Sequence, residues 1–85
     1  MTYKINIRRN VLKFIQKQDR KTQQRLLNGI NGLPHTGDIK KMSGYKALYR
    51  LRIGVFRVLY EMNPQSKELT LIDITDIDNR GQVYK

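Results

Sequence analysis

The sequence predicts an α+β fold in the order βααβββ, two N-terminal helices packed on one small antiparallel sheet, as a single domain over residues 1–85. Three observations carry this expectation: an apolar period of two at the start, a helical period in the next stretch, and a period of two again in the C-terminal half. Composition permits it. Hydrophobic residues make up 39% of the chain and charged residues 28%, ordinary globular usage that suffices for one core.

Tyr3, Ile5 and Ile7 alternate with Lys4 and Asn6, the pattern of a half-buried strand. From Arg9 the spacing changes. Val11, Phe14 and Ile15 fall at i, i+3 and i+4, and Leu26, Ile30 and Leu33 continue a helical spacing after Asp19, which is placed to cap a second helix. Gly29 and Gly32 weaken that helix toward its end, and Pro34 followed by His35, Thr36, Gly37 and Asp38 stops it in a loop. Between positions 45 and 53 the odd residues Tyr45, Ala47, Tyr49, Leu51 and Ile53 are apolar or aromatic, while Lys46, Arg50 and Arg52 take even positions, which predicts a second strand. Phe56, Val58, Tyr60 and Met62 form the apolar parity of a third, after a tight turn at Gly54 and Val55. In this register Ile53 faces Phe56, Leu51 faces Val58 and Tyr49 faces Tyr60, so the apolar faces of the hairpin coincide. Residues 63–67 read as a turn and 69–77 as a fourth strand, interrupted by Asp73 and Asp76.

Charge points to a polyanionic partner. Lys and Arg number 17 against 7 Asp and Glu, a net charge of +10. The excess lies in residues 1–60, with 14 basic groups and only Asp19 and Asp38, whereas residues 61–85 hold three basic and five acidic groups. Residues 39–60 carry Lys40, Lys41, Lys46, Arg50, Arg52 and Arg57 and no acid. The hairpin register sets Arg52 opposite Arg57, with Arg50 two residues along, on the face away from the apolar pairs. Like charges opposed on a sheet cost stability. Such a row of forked donors matches phosphate oxygens and would stabilise negative charge developing on a phosphorus. A solvated basic face is the plain alternative.

Lys40-Lys41-Met42-Ser43-Gly44, the segment from Tyr49 through Arg50, Arg52, Gly54, Phe56-Arg57 and Tyr60-Glu61, and the ending Asn79-Arg80-Gly81-Gln82-Val83-Tyr84 together resemble the RelE/ParE superfamily of bacterial toxins, its RelE-like branch above all. The resemblance implies a RelE-like microbial RNase fold and the toxin of a type II toxin-antitoxin system. It further implies a metal-independent endoribonuclease that cuts messenger RNA in the ribosomal A site and so inhibits translation. On this pattern Arg50, Arg57, Arg80 and Tyr84 are the expected catalytic residues, with Lys40, Lys41, Lys46 and Arg52 contacting RNA. The implied partners are a cognate antitoxin, the 30S ribosome and mRNA. The alternative is a ParE-like toxin that binds DNA gyrase without cutting nucleic acid, and a catalytically silent RNA-binding domain is a third reading. Leu48 stands where the best-known RelE pattern has lysine, and Asn79 where many relatives have histidine, so the candidates for a proton acceptor are thinned.

Cleavage through the ribose hydroxyl needs a base and an acid besides charge stabilisation, and arginine, protonated throughout the accessible pH range, supplies only the last. His35 reads as a loop residue, which leaves Tyr84 as acid-base group or stacking ring. Asp73, Asp76 and Asp78 read as ion-pair partners rather than metal ligands, and no cofactor is expected. With no cysteine, thiolate zinc sites and disulfides are excluded. No apolar run approaches a membrane span, and Lys4, Arg8, Arg9 and Lys13 stand where a signal peptide would be hydrophobic. A cytoplasmic location without membrane contact is expected.

Overall fold

The computed structural model describes residues 2–42 and 47–79. The elements are β1 (Thr2–Ile7), α1 (Arg9–Gln16), α2 (Arg20–Asn31), β2 (Asp38–Lys41), β3 (Leu48–Ile53), β4 (Phe56–Pro64) and β5 (Leu69–Asn79). The five strands form one sheet in the order β1-β5-β4-β3-β2.

The expected βααβββ order with an antiparallel sheet is therefore corrected on two counts. An additional strand, β2, pairs antiparallel with β3 at one edge, and β1 pairs parallel with β5 at the other, so the sheet is mixed. β2 escapes the alternation rule because its four residues include one apolar side chain, Ile39, set opposite Leu51. The direction of β1 is not written in its alternation. Tyr3, Ile5 and Ile7 need only turn inward, and a parallel neighbour accepts that pattern as readily as an antiparallel one.

The β3–β4 hairpin has the register its alternation dictates: Ile53 opposite Phe56, Leu51 opposite Val58, Tyr49 opposite Tyr60. Gly54 has φ +60, as the first central residue of a two-residue II′-type turn requires. The guanidinium of Arg25 on α2 lies over this turn, in the space that a Cβ at Gly54 would need. α1 lies on β5 and α2 on β3, enclosing a core of Val11, Ile15, Leu26, Ile30, Leu51, Val58, Tyr60, Ile72 and Ile74. Asp19 caps α2 by accepting a hydrogen bond from the Thr22 N–H at 3.0 Å. Tyr49 and Tyr60 stack with ring centroids 5.4 Å apart, and burial pushes the Tyr60 phenol up to about 12.

β5 explains its own interruptions. Leu59 pairs with Asp76 but Tyr60 pairs with Ile74, so Thr75 is an extra residue on β5. The bulge switches the inward parity from Ile72 and Ile74 to Ile77, and all three reach the core. The Thr75 hydroxyl donates to the Leu59 carbonyl at 3.3 Å beside the irregularity. Asp73 points away from the helices and accepts hydrogen bonds from Asn6 Nδ2 (3.0 Å) and from Arg8 Nε and Nη2 (3.2 and 2.8 Å). The Arg8 guanidinium, helped by Asn6, holds this buried carboxyl below the usual carboxylate range.

Candidate functional site

Because one face of the sheet is covered by the helices, the residues of opposite parity line up on the other. The pairing of β2, β3, β4 and β5 puts Asp38, Arg52, Arg57 and Asp78 in one row across four strands. The next row holds Lys40, Arg50, Leu59 and Asp76. Backbone pairing thus gathers three arginines and a lysine on one rigid surface, flanked by carboxylates from the strands on either side.

The arginines differ in their ties. Arg57 Nη2 bonds Asp78 Oδ2 at 2.9 Å, and Arg50 Nη2 stands 3.5 Å from Asp38 Oδ1. Arg52 is exposed and makes no ion pair among the described residues. Arg50 is the more enclosed, its side chain 15% exposed against 26% for Arg57. Arg50 Nη1 and Arg57 Nε are buried donors with no hydrogen-bond partner among the described residues, and Asp78 Oδ1 is a buried acceptor in the same condition. Buried polar atoms of a folded protein are nearly always satisfied, so unmet donors on a basic face mark a place where an external acceptor gains the most.

Of the eight residues singled out in the sequence, Arg50, Arg52, Arg57 and Lys40 meet on this face. Lys41 does not: it pairs with Tyr49 and so belongs to the opposite parity, although it adjoins Lys40 in the chain. Lys46, Arg80 and Tyr84 lie outside the described residues. His35 is exposed and meets the Tyr3 ring edge-on at 5.3 Å, a packing contact away from the arginine rows. Two of the three C-terminal acids are ion-pair partners, Asp73 of Arg8 and Asp78 of Arg57, while Asp76 Oδ1 accepts from the Ile77 N–H. Asp38 is hidden in the sequence because it ends a Pro- and Gly-containing stretch that reads as the loop after α2. The parity of Asp78 relative to Arg57 becomes visible only once the Thr75 bulge is counted.

No helix among the described residues is long and apolar enough to cross a membrane. No protein-family description and no curated protein matches the chain. Solved structures do. A chain of the archaeal RelE–RelB complex from Pyrococcus horikoshii OT3 is 29% identical with a TM-score of 0.75, over 96% of this chain and 99% of that one. A chain of the RelB–RelE antitoxin–toxin complex from Methanococcus jannaschii is 23% identical with a TM-score of 0.69, over 92% of this chain and 93% of that one, and at this identity shows the fold alone. The likeness is to chains from two-protein toxin–antitoxin complexes, and what it carries is that pairing. The expectations of a toxin that cuts messenger RNA in the A site, and of a gyrase-binding toxin in its place, give way on this finding to the toxin–antitoxin pairing alone. What stands of the resemblance is the setting of a toxin–antitoxin system.

Proposed function

We propose that this chain is one protein of a two-protein pair of the RelE–RelB kind, and that the arginine face of β3 and β4 is the surface its partner covers with an acidic segment. The observation that carries this reading is the combination of Arg50, Arg52 and Arg57 on one sheet face with two buried, unmet guanidinium donors among them. A chain of net charge +10 supplies the long-range attraction, and the fixed fork of each arginine suits a carboxylate. Such a pair would work in the cytoplasm. The test is co-expression with a candidate partner protein that carries an acidic segment, followed by purification at rising salt. Recovery of a stable complex that is lost in the triple substitution of Arg50, Arg52 and Arg57 by Gln supports the reading; a complex indifferent to that substitution rejects it.

Arg52, exposed and without an ion pair among the described residues, favours a second use of the same face when the partner is absent: contact with RNA phosphates, in messenger RNA or on the ribosome. Metal-independent endoribonuclease activity is a separate proposal on this face. The guanidiniums would stabilise charge at phosphorus, and removing one such donor usually costs about two orders of magnitude in rate. Incubating RNA with the free chain in a chelator, beside Arg57→Gln, measures it. Intact RNA, or cleavage unchanged in Arg57→Gln, removes this activity from the face.

A further inference from the structure

The Arg57–Asp78 contact is a one-pronged pair. Nη2 reaches Oδ2, while Arg57 Nε and Asp78 Oδ1 stay buried without partners among the described residues. A guanidinium and a carboxylate free to choose their geometry form two parallel bonds. Asp78 lacks that choice, because its Cα is fixed opposite that of Arg57 by the β4–β5 ladder. A carboxylate arriving from outside the sheet is under no such constraint and can meet Nε and Nη2 together. Asp38 stands in the same relation to Arg50, at the longer distance of 3.5 Å and with Arg50 Nη1 left unmet. The face is therefore held by carboxylates of its own chain in an arrangement that an external one improves upon.

We infer that Asp78 is an internal stand-in for the partner's carboxylate: it occupies Arg57 in the free chain and is displaced when an acidic segment docks. This rests on the reading of the arginine face as partner-binding and adds to it a residue that sets the affinity. Exchange is favoured by geometry, since the incoming group satisfies a donor that Asp78 cannot reach, and the displaced carboxylate, 36% exposed already, turns to water. In the free chain the same pair shields one positive charge of the row from casual anions. Asp78 is thus a positioning and specificity-determining residue for docking.

The test is a binding titration of a short glutamate-rich peptide to the full chain at low salt. Asp78→Asn should tighten binding by about three- to fivefold, the equivalent of one half-exposed ion pair. Asp76→Asn removes an equal charge from the same strand without freeing an arginine and should change affinity by less than about twofold. In an Arg57→Gln background, Asp78→Asn should have no effect. Equal gains from Asp78→Asn and Asp76→Asn, or a gain that persists without Arg57, overturn the stand-in role while leaving the face as a docking surface. Failure of every variant, wild type included, to bind the peptide overturns both readings.

Discussion

Arg52 and Arg57 sit on the same face, directly opposed, yet their removal should move stability in opposite directions. Arg52→Gln keeps the length of the side chain and deletes a charge that faces another guanidinium across the hairpin. Two unit charges about 7 Å apart in water repel by about 0.6 kcal/mol, and partial neutralisation of Arg57 by Asp78 lowers this to about 0.3–0.5 kcal/mol, within the usual range for opposed strand charges. Asp38, the other Cα neighbour of Arg52, offsets little, because its carboxylate is 62% exposed and turned to Arg50. The net charge of +10 acts in the same direction as the local repulsion. Arg52→Gln should therefore raise Tm by about 1–4 °C at low ionic strength. In 1 M salt, where charges are screened beyond about 3 Å, the gain should vanish. Arg57→Gln instead strands Asp78, one of whose oxygens already lacks a partner among the described residues, and should lower Tm. Thermal melts of the two variants at both salt concentrations decide the matter. A lower Tm for Arg52→Gln at low salt, or a gain unchanged in 1 M salt, would refute the claim that this row trades stability for charge.

Asp73 is held below its ordinary range in the folded chain, so its contribution is present at neutral pH and is lost as pH falls below the unfolded value of about 4; urea midpoints at pH 7 and pH 3 should differ by less in Asp73→Asn than in the wild type. Tyr60 titrates in the other direction: its phenol at about 12, against an ordinary value near 10, makes stability fully present below pH 10 and lost as pH rises toward 12. Alkaline unfolding should accordingly shift to higher pH in Tyr60→Phe, and an absorbance titration should lose the phenol that ionises at about pH 12. Leu26→Ala empties a fully buried site between α2 and the sheet and should cost about 2–5 kcal/mol by chemical denaturation, with a smaller loss indicating that the core collapses around it.

The hairpin was legible because both its strands alternate cleanly and a two-residue turn leaves one register that buries both apolar sets. That register alone yields the opposition of Arg52 and Arg57 and the proximity of Arg50. The carboxylates that tie these arginines were not legible as such. Asp38 begins a strand too short and too polar for periodicity to find, and Asp78 follows a bulge that resets the parity of β5. Lys40 and Lys41 show the converse: adjacent in sequence and alike in charge, they are sent to opposite sides of β2 by the pleat. The parallel pairing of β1 could not be read from β1, since its direction depends on which strand receives it.

That pairing has a consequence for how the chain is made. Thr2 finds its place against Leu69, and Ile7 against Ile74, so each residue of the first strand waits for one 67 positions behind it. At about 5–20 residues per second of synthesis, the delay is several seconds. Throughout that interval Tyr3, Ile5 and Ile7 have no strand to lie beside, and the nascent chain carries an open sticky edge while β3 and β4 can already close their hairpin. The sheet is completed only once β5 has been made, and the arrival of Asp78 opposite Arg57 comes with the same strand.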